Sequence, residues 1–108
     1  MARIRRRTGA VTVGLGAAQY AVERALKTEL LHQIAARLEA EGSAQTVAAQ
    51  RLGISQPDVS RMLRGDYRQF SVERLMRFLL TLGQEIEIRV RPAQTSCMTS
   101  ARITVIAA

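Results

Sequence analysis

The sequence predicts a mainly α-helical fold: a small helical bundle carrying a helix-turn-helix, with a short C-terminal β extension of two strands. Three observations predict it. Apolar residues recur at helical spacing over 17–41 and again over 72–82. Between these lies QTVAAQRLGISQPDVSRMLR, 45–64, which reads as two short helices joined by a sharp turn. After Gly83 the apolar period changes from 3.6 to 2, as in a strand. The chain therefore divides into a basic, flexible arm (1–16), a helical domain (17–83) and a β extension (84–108).

The central twenty residues carry the most information. Ala48, Ala49 and Leu52 form the inner face of the first short helix, and Ala49 is small where the two helix axes must pass closely. Gly53 follows the last helical residue, a position where the chain commonly turns left-handed. Ser55 is placed to cap the second helix, with Asp58 three residues on as an S-x-x-D form of the capping box. Ile54 and Val59 stand at the positions of a hydrophobic staple, and Pro57 falls in the first turn, where its missing N–H is no loss. Val59, Met62 and Leu63 are expected inside, leaving Gln56, Ser60, Arg61 and Arg64 outside. Any helical hairpin needs a small residue, a glycine and an apolar stripe. This spacing is more demanding, and the outer face has no carboxylate beyond Asp58, which favours a DNA-binding hairpin over a purely structural one.

With these residues in view, 45–92 resembles the lambda-repressor/Cro-like (XRE-family) helix-turn-helix regulators, and among them the HigA-type antitoxins. The resemblance is carried by AAQRLGISQPDVSRMLRGDYRQFS and ERLMRFLLTLGQEIEIRVRP, about half of the chain. It implies a lambda-repressor-like bundle that binds palindromic operators on double-stranded DNA as a homodimer, and a possible RelE-like ribonuclease toxin as protein partner. The family usually has a Thr before the first glutamine with an apolar residue before it; here Ala44 and Ser43 stand there, so Ser43 is expected to cap one residue early.

Composition agrees. At 108 residues there is room for one modest core, and the apolar 47% contains two Phe, two Tyr and no Trp, so the core is aliphatic. A net charge of +7 favours a polyanionic partner, nucleic acid before an anionic membrane surface. Arg3, Arg5, Arg6 and Arg7 followed by small apolar residues mimic a signal peptide, but no convincing cleavage pattern follows and export is not expected. The arm is either a free tail or a clamp on phosphates or a minor groove. Lone Cys97 excludes an intrachain disulfide and suits a reducing cytoplasm. No run approaches the roughly 20 apolar residues of a membrane span.

In the first long helix Val22, Leu26, Leu30, Ile34 and Leu38 form an apolar row expected to be core or dimer surface; Glu23, Lys27, Glu29, Gln33, Arg37 and Glu39 lie off it, with Glu23–Lys27 an i,i+4 pair. Lone His32 has no second ligand at metal spacing. Phe70 and Leu75 staple a helix capped by Ser71 and closed by Gly83, with Val72, Leu75, Met76, Leu79 and Leu80 inside and Phe78 and Leu82 widening the stripe. Strands are expected at 85–91 and 102–107, pairing with each other on the helices or with another copy, which makes this extension the expected dimerisation element.

No nucleophile–base pair or phosphate loop is present, so neither an enzyme nor a cofactor is expected. The expected function is sequence-specific regulation of transcription, most simply repression. The alternative is a protein-interaction module whose main task is neutralising a toxin, which exposed apolar residues in the first 22 or last 16 positions would favour. Gln56 and Arg61 are the expected base readers, suited to adenine and guanine. Ser55, Ser60 and Arg64 serve bases or phosphates, and Gln45 anchors backbone at its helix start. Tyr67 and Arg68 either touch the phosphates beside that helix, or Tyr67 packs on a neighbouring turn. RNA is a weaker expectation, since stacking aromatics are few.

Overall fold

The computed structural model describes residues 12–14, 19–92 and 102–107. The arginines of the arm, the loop 93–101 and Cys97 lie outside the described residues. In chain order the elements are β1 (Thr12–Gly14), α1 (Gln19–Glu41), α2 (Gln45–Leu52), α3 (Gln56–Leu63), α4 (Val72–Thr81) and β2 (Arg102–Thr104). The mainly helical class is as the periodicity predicts.

One core joins the helices. Leu30, Leu31, Ile34 and Leu38 of α1 meet Leu75, Phe78, Leu79 and Leu82 around α4, and α2 and α3 close over them with Ala48, Ala49, Leu52, Val59 and Met62. Phe70, in the connection from α3 to α4, is buried edge-on to Phe78 at 5.9 Å between ring centroids, with the Arg74 guanidinium 5.3 Å from its ring. Burying aliphatic side chains of this kind contributes about 1.5–3 kcal/mol each. At the far end of α1, Glu41 ties the helix to its neighbour by pairing with Arg51 of α2, and Arg37 stands 3.5 Å from the same carboxylate.

Helix ends follow the residue chemistry. Gly53 has φ +72° and its N–H, like that of Ile54, donates to the Ala49 carbonyl. α3 and α4 end alike: Asp66 N–H reaches back to the Arg61 carbonyl and Gln84 N–H to that of Leu79, closing each helix past a left-handed glycine. Nothing lies within 4 Å of where a Cβ on Gly53 would sit, so the constraint there is conformational rather than steric crowding. Gly53→Val is therefore expected to lower the melting temperature through backbone strain of about 1–2 kcal/mol or more, since a β-branched residue is strongly disfavoured at positive φ. An unchanged melting temperature would show that the turn tolerates another conformation.

Several side chains depart from the sequence expectation. Leu63 is exposed: at about 100° per residue it lies closer to Gln56 on the helix wheel than to Val59 or Met62. Leu80 is exposed for the same reason, because Leu75, Phe78, Leu79 and Leu82 define a stripe that points away from it. Lys27, expected outside, is buried; its stem falls between Ile34 and Leu38 on the wheel while its ammonium reaches Glu23 at 3.0 Å. Glu29 is buried too, its carboxylate accepting from Gln33 Nε2 at 3.0 Å. β1 contacts α1 in addition to the helices, so this helix is covered on more than one side. Ser43 does not cap α2, whose N-cap is Ala44 with no side-chain hydrogen bond.

The sheet is assembled differently from the expected pair of C-terminal strands. β2 pairs antiparallel with β1, in the register Thr12↔Thr104, Val13↔Ile103 and Gly14↔Arg102. β1 falls within the expected basic arm, where Gly, Ala and Val mix without a clean period. The segment 85–91 is not a strand within this chain, since among the described residues no backbone ladder engages it. Its first apolar residue, Ile86, packs on the helical core, whereas Ile88 and Val90 are exposed.

Candidate nucleic-acid interface

α3 presents the site. Ser55, with extended backbone, caps the helix by accepting a hydrogen bond from the Asp58 N–H at 3.2 Å, and Pro57 occupies the first turn. Val59 and Met62 anchor the inner side. This turns Gln56, Ser60 and Arg64 outward along one face, with Arg61 beside them, because positions spaced by four fall one above another on a helix.

The two arginines are held rather than free. Arg61 donates to the Asp58 carboxylate at 2.8 Å, and Arg64 donates to Ser60 Oγ at 3.0 Å. Asp58 thus gives its N–H to the cap and its carboxylate to Arg61, instead of turning that carboxylate back to complete the expected capping box. An arginine restrained in this way loses less side-chain freedom on meeting a ligand than an unrestrained one. Asp58 is the functional candidate that sequence reading passed over, although its i,i+3 spacing to Arg61 was available as the signal.

Beyond Gly65 the chain makes a tight turn. Arg68 donates to the Asp66 carboxylate from both its backbone N–H, at 3.3 Å, and its Nε, at 3.2 Å. The Arg68 side-chain hydrogen bond, helped by the backbone one, holds the Asp66 carboxyl below its usual range and raises Arg68 correspondingly. Arg64, Gly65, Asp66, Tyr67 and Arg68 line a shallow depression next to the end of α3. Of the two alternatives for Tyr67, its packing is visible: it is half-buried against the core, while the Arg68 side chain is largely in solvent. Gln45 is exposed in the first turn of α2. The fold thus brings Ser55, Gln56, Ser60, Arg61 and Arg64 together on one helix and its two caps, with Tyr67 and Arg68 on the following turn and Gln45 on the preceding helix.

His32 is exposed on α1, with Nδ1 3.8 Å from the Glu29 carboxylate. Among the described residues there is no cluster that could hold a metal ion, and no helix is long and apolar enough to cross a membrane.

A helix with Gln, Ser and Arg on its outer face, seated on a second helix across a glycine turn, has the form that enters a DNA major groove. Comparison with known proteins agrees. A family profile described as "Helix-turn-helix domain" matches residues 14–91. A solved structure named "Putative XRE Family Transcriptional Regulator" is similar at 42% identity and a TM-score of 0.77, covering 82% of this chain and 99% of that one. No curated protein matches significantly.

Proposed function

We propose, for a chain that belongs to the XRE-type helix-turn-helix family of DNA-binding transcriptional regulators, that it represses transcription as a homodimer on a palindromic operator. The observation that carries this reading is the outer face of α3. Gln56 and Arg61 read base edges, adenine and guanine respectively, because each side chain can form two hydrogen bonds to that base in the major groove. Ser55, Ser60 and Arg64 serve base edges or phosphates, and Tyr67, Arg68 and Gln45 position the helix on the backbone. Repression is the simpler outcome, since a dimer seated on a promoter excludes polymerase by occupancy. Its proposed place of action is the cytoplasm, which the lone Cys97 suits.

Selection of duplexes from a random pool tests the reading. The expected product is an inverted repeat whose half-sites lie about one helical turn, 34–36 Å, apart, bound by two chains. Transcription in vitro from a promoter overlapping that site is expected to fall as protein is added. Recovery of an asymmetric site bound by a single chain would overturn the dimer, and undiminished transcription would overturn repression.

One observation favours a second role. Tyr20, Ile103 and Ile106, within the first 22 and last 16 positions, are exposed apolar residues. They are suited to covering a partner protein, and a RelE-like ribonuclease toxin is the partner that an antitoxin of this type would neutralise. A small ribonuclease encoded beside this chain, inactive in its presence, would support that role; an active ribonuclease in the mixture would refute it.

A further inference from the structure

The segment from Gln84 to Pro92, QEIEIRVRP, leaves the helical body through a fixed exit. Gln84 N–H is bound to the Leu79 carbonyl, and Ile86 packs on the core. From there, among the described residues, the backbone groups have no backbone partner, and the apolar alternation continues into solvent, with Ile88 74% and Val90 90% exposed. Glu85, Glu87, Arg89 and Arg91 occupy the opposite face, with Glu87 and Arg89 paired at 2.8 Å in the single chain.

The pattern is a charge palindrome. Reversed, E-I-E-I-R-V-R lays each arginine on a glutamate and each aliphatic residue on an aliphatic one. We propose that 85–91 pairs antiparallel with the same segment of a second copy, with the two-fold axis passing through Ile88. This rests on the homodimer proposed above and supplies its interface. Glu85 then faces Arg91 of the second copy and Glu87 faces Arg89, while Ile86 faces Val90 and Ile88 faces its own counterpart.

No other register satisfies the same residues. Moving the axis to Glu87 or to Arg89 places two like charges directly opposite, which destabilises a pair. Half-residue shifts put aliphatic residues opposite charges. A parallel pairing in register sets every charge against its like. Pro92 narrows the choice further. Lacking an N–H, it is tolerated where it need not donate across the ladder. It would face Gln84 of the second copy, and that pair is of the non-hydrogen-bonded kind only if the Ile88 pair is as well. The two Ile88 Cα atoms are then about 4.5 Å apart, the closer of the two antiparallel spacings. Each strand of the resulting ribbon is tied by Ile86 to its own helical body, so the pairing also fixes the direction in which the two bodies depart.

Charge exchange followed by sedimentation provides the test. Glu85→Arg/Glu87→Arg and Arg89→Glu/Arg91→Glu are each expected to be monomeric at concentrations where the parent is a dimer. Mixed one to one they should form a heterodimer, and the four substitutions together should restore the homodimer. As an independent readout of register, Ile88→Cys in a Cys97→Ser background should oxidise to a cross-linked dimer, since its Cα spacing permits a disulfide. Val90→Cys should not, because the two positions lie about 13 Å apart along the ribbon. Double variants that both remain dimeric, or a mixture that stays monomeric, would overturn the pairing while leaving the homodimer itself intact. A monomeric parent that still binds operator as one chain would instead remove the homodimer on which the pairing depends.

Discussion

Phe70→Ala is expected to destabilise the domain by about 3–5 kcal/mol, the range for deleting a buried phenyl ring. Phe70 is 1% exposed and lies where the turn after α3 is joined to α4. Its ring meets Phe78 edge-on, with an interplanar angle of 74°, a geometry that contributes beyond simple area burial. Arg74 stands over both rings, 5.3 Å from one centroid and 5.5 Å from the other, so it loses a cation–π partner in the same substitution. Domains of this size have about 5–15 kcal/mol in total. A large share of the folded population is thus at stake, and DNA binding should fall with it. Urea denaturation provides the measurement: the midpoint should drop sharply. A midpoint close to the parent's would mean that neighbouring side chains collapse into the vacated volume and that the ring does not anchor α4 in the core.

Much of this architecture was legible in the sequence because its signals are local. Ser55 and Ser71 each precede an apolar-periodic run, and both cap their helices through the N–H three residues on. Gly53 stands where the left-handed turn is needed. Such features depend on a few neighbouring residues and survive without knowledge of the rest of the fold. Side chains at the margin of a stripe are different. Leu63 and Leu80 are apolar and adjacent to buried residues, yet their direction depends on where the core centre lies, which tertiary packing decides.

The β elements show the same divide on a longer scale. The alternation of 85–91 is as clear as any in the chain, but a strand exists only with a partner, and none of the described residues supplies one. For β2 the partner came from Thr12–Gly14, about ninety residues away in the sequence and too weakly patterned to announce itself. On α3, the outward polar residues followed from helical spacing alone. The restraint of Arg61 by Asp58 did not, since the capping role of Asp58 masked its second use.

That restraint sets the final expectation. Arg61→Ala should leave the melting temperature close to that of the parent, because the side chain is at the surface and its ion pair with Asp58 is of the partly exposed kind that contributes about 0–1 kcal/mol. It should cost about 1–3 kcal/mol of specific binding and relax preference at one base pair in each half-site. Gln56→Ala should do the same at a different base pair. Asp58→Asn keeps the side-chain size but removes the charge that holds the guanidinium. If Asp58 acts by orienting Arg61, this substitution should weaken binding in the parent and have little effect in an Arg61→Ala background, where there is nothing left to orient. An Asp58 that merely repels phosphate would behave oppositely, with its removal strengthening binding in both backgrounds. Affinities of the four combinations for the selected operator and for one altered at the Arg61 base pair decide between these. Should Gln56→Ala and Arg61→Ala both bind that operator as tightly as the parent, α3 is not the reading helix, and its polar face would be a solvated surface of a structural hairpin.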